Sequence, residues 1–134
     1  MKSLSILFLT TIALVYCEEF SVAVQGTFTC HGKPYPDASV QLKEKDWVWD
    51  DVLDTTISEV SGFYQVQGHK EDWWYIEPYL EISHKCPNEW KQACKRTMIR
   101  NIPREAVVEG TVIRRYYGMD LELGNSYNGE SKEC

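Results

Sequence analysis

The sequence predicts an all-β protein, an antiparallel sandwich of about seven strands built around two disulfides. Apolar residues recur at every second position in segment after segment, and turn-forming residues return every 8–12 residues or so. No stretch sustains the period of a helix.

The first strand starts near Phe20, where Phe20, Val22, Val24, Gly26, Phe28 and Cys30 share one parity and Ser21, Ala23, Gln25, Thr27 and Thr29 the other. The Gly/Pro-rich HGKPYPD then turns the chain. A second alternating run turns Ala38, Val40 and Leu42 inward, until KDWVWDD interrupts it. VLDTTISEV reads as the third strand, SG as a tight turn, and FYQVQG as the fourth, with Tyr64 and Val66 on its apolar face. After HKEDWW comes YIEPYLEISHKC, in which Ile76, Pro78, Leu80, Ile82, His84 and Cys86 share a face. Its proline belongs to an edge strand or to a strand's beginning. PNEWKQA leads to CKRTMIRNI, whose Cys94, Arg96, Met98, Arg100 and Ile102 share a face that two arginines should leave partly wet. PREAVVEGTVI holds at most one helical turn, and RRYYGMDLELG supplies the seventh strand.

Residues 1–17, MKSLSILFLTTIALVYC, have the basic start, short apolar core and abrupt polar boundary of a secretory signal peptide, which leaves residues 18–134 as one domain. The apolar run is short for a membrane span, so no transmembrane segment is expected. Of the 14 basic residues only Lys2 lies in that leader, and none of the 20 acidic ones does, so the formal charge moves from −6 to −7 on its removal. An acidic domain is a poor match to nucleic acid, which needs clustered Lys and Arg. The expected location is secreted and extracellular, where a domain this small gains from disulfides.

Four cysteines remain in the domain, Cys30, Cys86, Cys94 and Cys134, and they allow three pairings. No C-x-x-C unit occurs and the three histidines are scattered, so no zinc or other cofactor is expected. If successive strands alternate in direction, the first connection, the fifth and the tail after the seventh strand emerge at one end. On that argument Cys30 pairs with Cys134, and Cys86 pairs with Cys94 across a hairpin loop.

The same alternation puts Asp46, Trp47, Trp49, Asp50 and Asp51 of the second connection with Glu71, Asp72, Trp73 and Trp74 of the fourth, at the opposite end. Trp47, Trp49, Asp50, Asp51, Asp72, Trp73 and Trp74 therefore form the candidate ligand surface. Exposed indoles favour a partner, and aromatic faces beside carboxylates suit a cationic group such as choline or a basic peptide. The bland alternative is a hydrophobic plug over the open end of the sandwich, with the acids merely solvating the loops. Arg100, Arg104, Arg114 and Arg115 near two tyrosines suggest phosphate contacts, or ordinary pairing with the many acids. His84 faces inward, where a lone strand histidine is more often packed than catalytic.

In order along the chain, VQGTFTCHGKPYPDASVQL, SGFYQVQG, IEPYLEISHKC, CKR and YNGESKEC together resemble the nematode transthyretin-like family over essentially the whole domain. The resemblance implies a secreted, transthyretin (prealbumin)-like sandwich with a four-cysteine framework. Arg100 stands where an apolar residue is common in that family. Members are expected to be extracellular, with at least one relative bridging to phosphatidylserine on dying cells, while transthyretin itself carries thyroid hormone in an oligomer channel. Related hydroxyisourate hydrolases end in Tyr-Arg-Gly-Ser, which this tail, ESKEC, lacks. The expectation is thus a non-catalytic binding or bridging module for a lipid headgroup or cell-surface protein. A carrier of small apolar ligands in an oligomer is the alternative, and a hydrolase-like enzyme comes last.

Overall fold

A computed structural model describes residues 18–72, 76–88 and 93–134. The strands, in chain order, are β1 (Glu18–Cys30), β2 (Lys33–Pro34), β3 (Ser39–Glu44), β4 (Asp51–Ile57), β5 (Phe63–Asp72), β6 (Pro78–His84), β7 (Lys95–Asn101), β8 (Val108–Glu109), β9 (Tyr117–Gly118), β10 (Leu121–Glu122) and β11 (Ser131–Glu133). A single 3-10 turn, Arg104–Ala106, stands where one helical turn was expected.

Two sheets face each other. One is organised on β1, which pairs antiparallel with β5 from Glu18↔Asp72 to Thr27↔Phe63. The short β8, β9 and β10 pair with β1 in succession, at Phe20–Ser21, Val24–Gln25 and Phe28–Thr29. The second sheet has the order β11-β7-β6-β3-β4.

The alternation read from the sequence maps onto the core. Val22, Val24, Phe28, Tyr64 and Val66 from one sheet, and Val40, Leu42, Leu80, Ile82 and Met98 from the other, are at most 1% exposed. Phe28 and Tyr64 stack with ring centroids 4.2 Å apart, and the Tyr64 hydroxyl donates to the Met119 carbonyl at 2.6 Å. Pro78 opens β6, the position where its missing N–H costs no ladder bond. Gly62, at φ +84°, makes the tight turn before β5, where a Cβ would also strike the Phe28 carbonyl.

Three readings of the sequence are revised. The seventh strand is broken into β9 and β10, and both run parallel to β1. An odd strand in an alternating series points the same way as the first, so placing the two side by side makes the pairing parallel. The face carrying Arg96 and Arg100 is dry at Arg96, only 1% exposed, while Arg100 farther along it stays half-buried as expected. The Arg96 guanidinium donates to the carbonyls of Cys86 (2.9 Å), Leu123 (2.6 Å) and Asn125 (2.7 Å) and forks onto the Glu130 carboxylate at 2.8–3.1 Å. That set of acceptors replaces the water an arginine would otherwise keep.

The third revision concerns the disulfides, which join Cys30 to Cys86 and Cys94 to Cys134. Strand direction does bring all four cysteines to one end, but it does not choose among pairings there. The β6–β7 ladder stops at His84↔Arg96, and Cys86 beyond it is fully buried, joined across the sandwich to the end of β1. Cys94 has the tail as its other neighbour: β11 pairs with β7 at Glu133↔Lys95, so Cys134 falls opposite Cys94 with Cα atoms 4.6 Å apart. The last cysteine fastens an edge strand.

Candidate functional site

The connection between β3 and β4 has its polarity reversed. Its acids, though exposed, are hydrogen-bonded back onto the protein: Asp46 accepts the Trp47 backbone N–H at 2.7 Å, and Asp50 accepts the Asp46 N–H at 3.4 Å and the Tyr79 hydroxyl from β6. Its apolar residues face water, with Trp47 100%, Val48 75% and Trp49 80% exposed. A loop this short has no interior, so once the carboxylates claim the backbone donors the indoles must point out. These bonds also set the charges: the backbone N–H of Trp47 holds the Asp46 carboxyl below its usual range, and the Tyr79 hydroxyl does the same for Asp50.

Below the loop lies a charge hub. Lys70, from β5, places its ammonium on the carboxylates of Glu44, Asp51 and Asp46, the last at 3.3 Å. Burial works against the charge on Lys70, but the hydrogen bonds it donates to Asp51, Glu44 and Asp46 outweigh it and hold the ammonium above its ordinary pKa. Burial raises the Glu44 carboxyl, with Lys70 offsetting part of the effect. Glu44, Asp46 and Asp51 approach closely enough to hold a metal ion, yet the ammonium already lies among them.

The hub brings the second and fourth connections together at the end away from the disulfides, as the strand directions imply. Of the expected surface residues, Trp47 and Trp49 are exposed rather than folded over the core. Asp50 and Asp51 are tied down as described, and Asp72 pairs with Glu18 at the start of the β1–β5 ladder. Trp73 and Trp74 lie outside the described residues, as do residues 1–17. Sequence reading missed Glu44, Lys70 and Tyr79. Glu44 did carry a signal, since it continues the inward parity of Val40 and Leu42 and a carboxylate there needs a cation.

Two of the four arginines weighed for phosphate contacts have separate engagements. Arg100 lies over the Tyr127 ring at 5.1 Å, and Arg115 reaches the Glu105 carbonyl at 3.5 Å. The stacking on Tyr127 accounts for a cation at a position expected to be apolar.

The family model of the transthyretin-like family matches residues 25–103, from the middle of β1 to just past β7. The chain belongs to the transthyretin-like family. Transthyretin-like protein 16 of Caenorhabditis elegans is 31% identical over 137 residues, covering 100% of this chain and 99% of its own. Transthyretin-like protein 1 of the same organism is 32% identical, over 85% of this chain and 79% of its own. Transthyretin-like protein 5 is 29% identical, over 85% and 84% respectively. The two disulfides of this transthyretin-like sandwich suit an oxidising, extracellular setting. Among the described residues no helix is long and apolar enough to cross a membrane.

His84, the inward histidine of this transthyretin-like chain, is 3% exposed and sits edge-on to Tyr35. Its Nδ1 accepts the Cys86 N–H at 3.0 Å, so the neutral ring carries its proton on Nε2, which has no partner among the described residues. Burial, then the charge of Arg96, pushes its pKa down from 6.5 to about 4. The unfolded chain thus takes up a proton that the folded chain refuses, and stability falls as the pH drops from about 6.5 towards 4. Urea titrations should show a loss of about 1.5 kcal/mol between pH 6.5 and pH 5. His84→Gln, which retains an acceptor, should flatten that slope; an unchanged slope would remove His84 as its source.

Proposed function

We propose that the protein is a secreted, non-catalytic binding or bridging module that engages an extracellular lipid surface or cell-surface partner through the Trp47–Val48–Trp49 loop. One observation carries this reading: two indoles stand in water on a loop whose own polar groups are bonded inward, with Lys70 beneath. Such a loop offers large apolar rings with only two side-chain torsions each to fix on docking, on a backbone tied down by its own acids. Family membership supports an extracellular role without choosing the partner. The carrier reading draws no support from the cleft of roughly 750 Å³ at His31, Glu122, Asn88, Asn125 and Ser126, which is open and lined largely by polar residues.

The test is sedimentation with lipid vesicles and binding to intact cells. The disulfide-bonded protein is expected to be retained, and Trp47→Ala/Trp49→Ala to lose about tenfold or more in affinity with no change in thermal midpoint. Retention that ignores both substitutions would move the binding surface elsewhere.

A further inference from the structure

Resting on that reading, we infer that the loop selects surfaces rich in choline headgroups, needs no divalent cation to do so, and is repelled by anionic ones. A quaternary ammonium donates no hydrogen bond and carries a diffuse charge, so a site for it consists of aromatic faces with negative charge close by. The loop has both. Trp47 and Trp49 flank Val48 between Asp46 and Asp51 in the sequence, and the side chains of Asp46 and Asp51 remain 44% and 48% exposed while sharing one ammonium with Glu44. Three carboxylates on a single lysine leave the base of the loop net negative.

An anionic headgroup asks for the opposite, free N–H donors beside the point of insertion. Between residues 43 and 51 the cations are Lys43, bonded to Glu81 at 3.0 Å, and Lys45, against the acids Glu44, Asp46, Asp50 and Asp51. The whole chain is acidic as well, at −6, so approach to an anionic bilayer is opposed at long range. Calcium could reconcile acids with an anionic lipid, but the acidic seat found for it among the described residues, Glu44, Asp46 and Asp51, contains the Lys70 ammonium. Tryptophan also settles readily at the headgroup level of a bilayer, which puts the indoles at the depth of the choline groups.

The experiment measures sedimentation of the full disulfide-bonded protein in EDTA. One vesicle set is pure phosphatidylcholine, and in the other half of that lipid is replaced by phosphatidylserine. Expected are retention on phosphatidylcholine, competition by soluble tetramethylammonium, and several-fold weaker retention on the mixed vesicles that recovers as salt rises, since screening relieves repulsion. Trp47→Ala/Trp49→Ala should remove about tenfold of the phosphatidylcholine affinity. Tighter binding to phosphatidylserine, a loss of binding with added salt, or a requirement for calcium would overturn the headgroup assignment while leaving a lipid-docking loop standing. Failure on every vesicle overturns both lipid readings, and Trp-dependent capture by polylysine would then assign the loop to a basic protein partner.

Discussion

Replacing Arg96 by alanine is expected to destabilise the domain by about 3–5 kcal/mol, because it strands a carboxylate and several carbonyls that the guanidinium alone satisfies. The side chain binds the carbonyl that follows β6, two carbonyls in the chain after β10, and Glu130 just before the tail strand. One residue therefore joins three segments remote in sequence. Against a total stability of roughly 5–15 kcal/mol, the loss should lower the thermal midpoint by roughly 10–20 °C. The pair Arg96→Met/Glu130→Gln should cost less than Arg96→Ala alone, since no unpaired charge remains. A midpoint within two degrees or so of the parent for Arg96→Ala would show that the hydrogen bonds carry little net weight.

The second large effect belongs to the disulfides. Removing Cys30–Cys86 by paired Cys→Ala substitution should cost about 4 kcal/mol on the loop-entropy model, for a separation of 56 residues. Removing Cys94–Cys134, which spans 40, should cost about the same in entropy. The two losses should differ in location. Without Cys94–Cys134 the tail strand frays from β7 while the sandwich remains, whereas without Cys30–Cys86 the sheets lose a covalent tie buried between them. Hydrogen exchange separates these outcomes. Peptide maps taken without reduction check the pairing itself, and recovery of a Cys86–Cys94 peptide would refute it.

What was legible in the sequence follows from the physics of each feature. Period-two patterning marks faces, so Val22, Val24, Val40, Leu42, Tyr64, Leu80 and Ile82 could be placed inward from their neighbours alone. Strand direction marks ends, so the cysteine end and the tryptophan end were both legible. Neither property encodes which neighbour a residue meets at an end. Cys94 lies between Cys86 and Cys134, and the choice depends on the tail joining β7, in a strand of three exposed residues with no apolar signal. Arg96 misled for a related reason. An arginine is normally counted as wet, and its principal partner Glu130 is 34 positions away. In the candidate site the indoles were legible by parity and composition. The hub beneath them was not, because Lys70 reaches Glu44 and Asp51 across the space between the sheets, a contact without a sequence period.

The two disulfides also bear on how the molecule would behave under a pulling force, the load that the proposed bridging role would impose. Tension applied between Glu18 and Cys134 can draw out only the chain outside the covalent loops, from Glu18 to Cys30 and from Cys86 to Cys94. That is roughly 70 Å of contour, against roughly 400 Å for the same residues without cross-links. The strands β3, β4, β5 and β6 lie inside the Cys30–Cys86 loop and β7 inside the Cys94–Cys134 loop, so none of them is in the load path, which runs through β1 and the stretch between Cys86 and Cys94. A domain cross-linked this way yields by a small, bounded amount and then transmits force through covalent bonds.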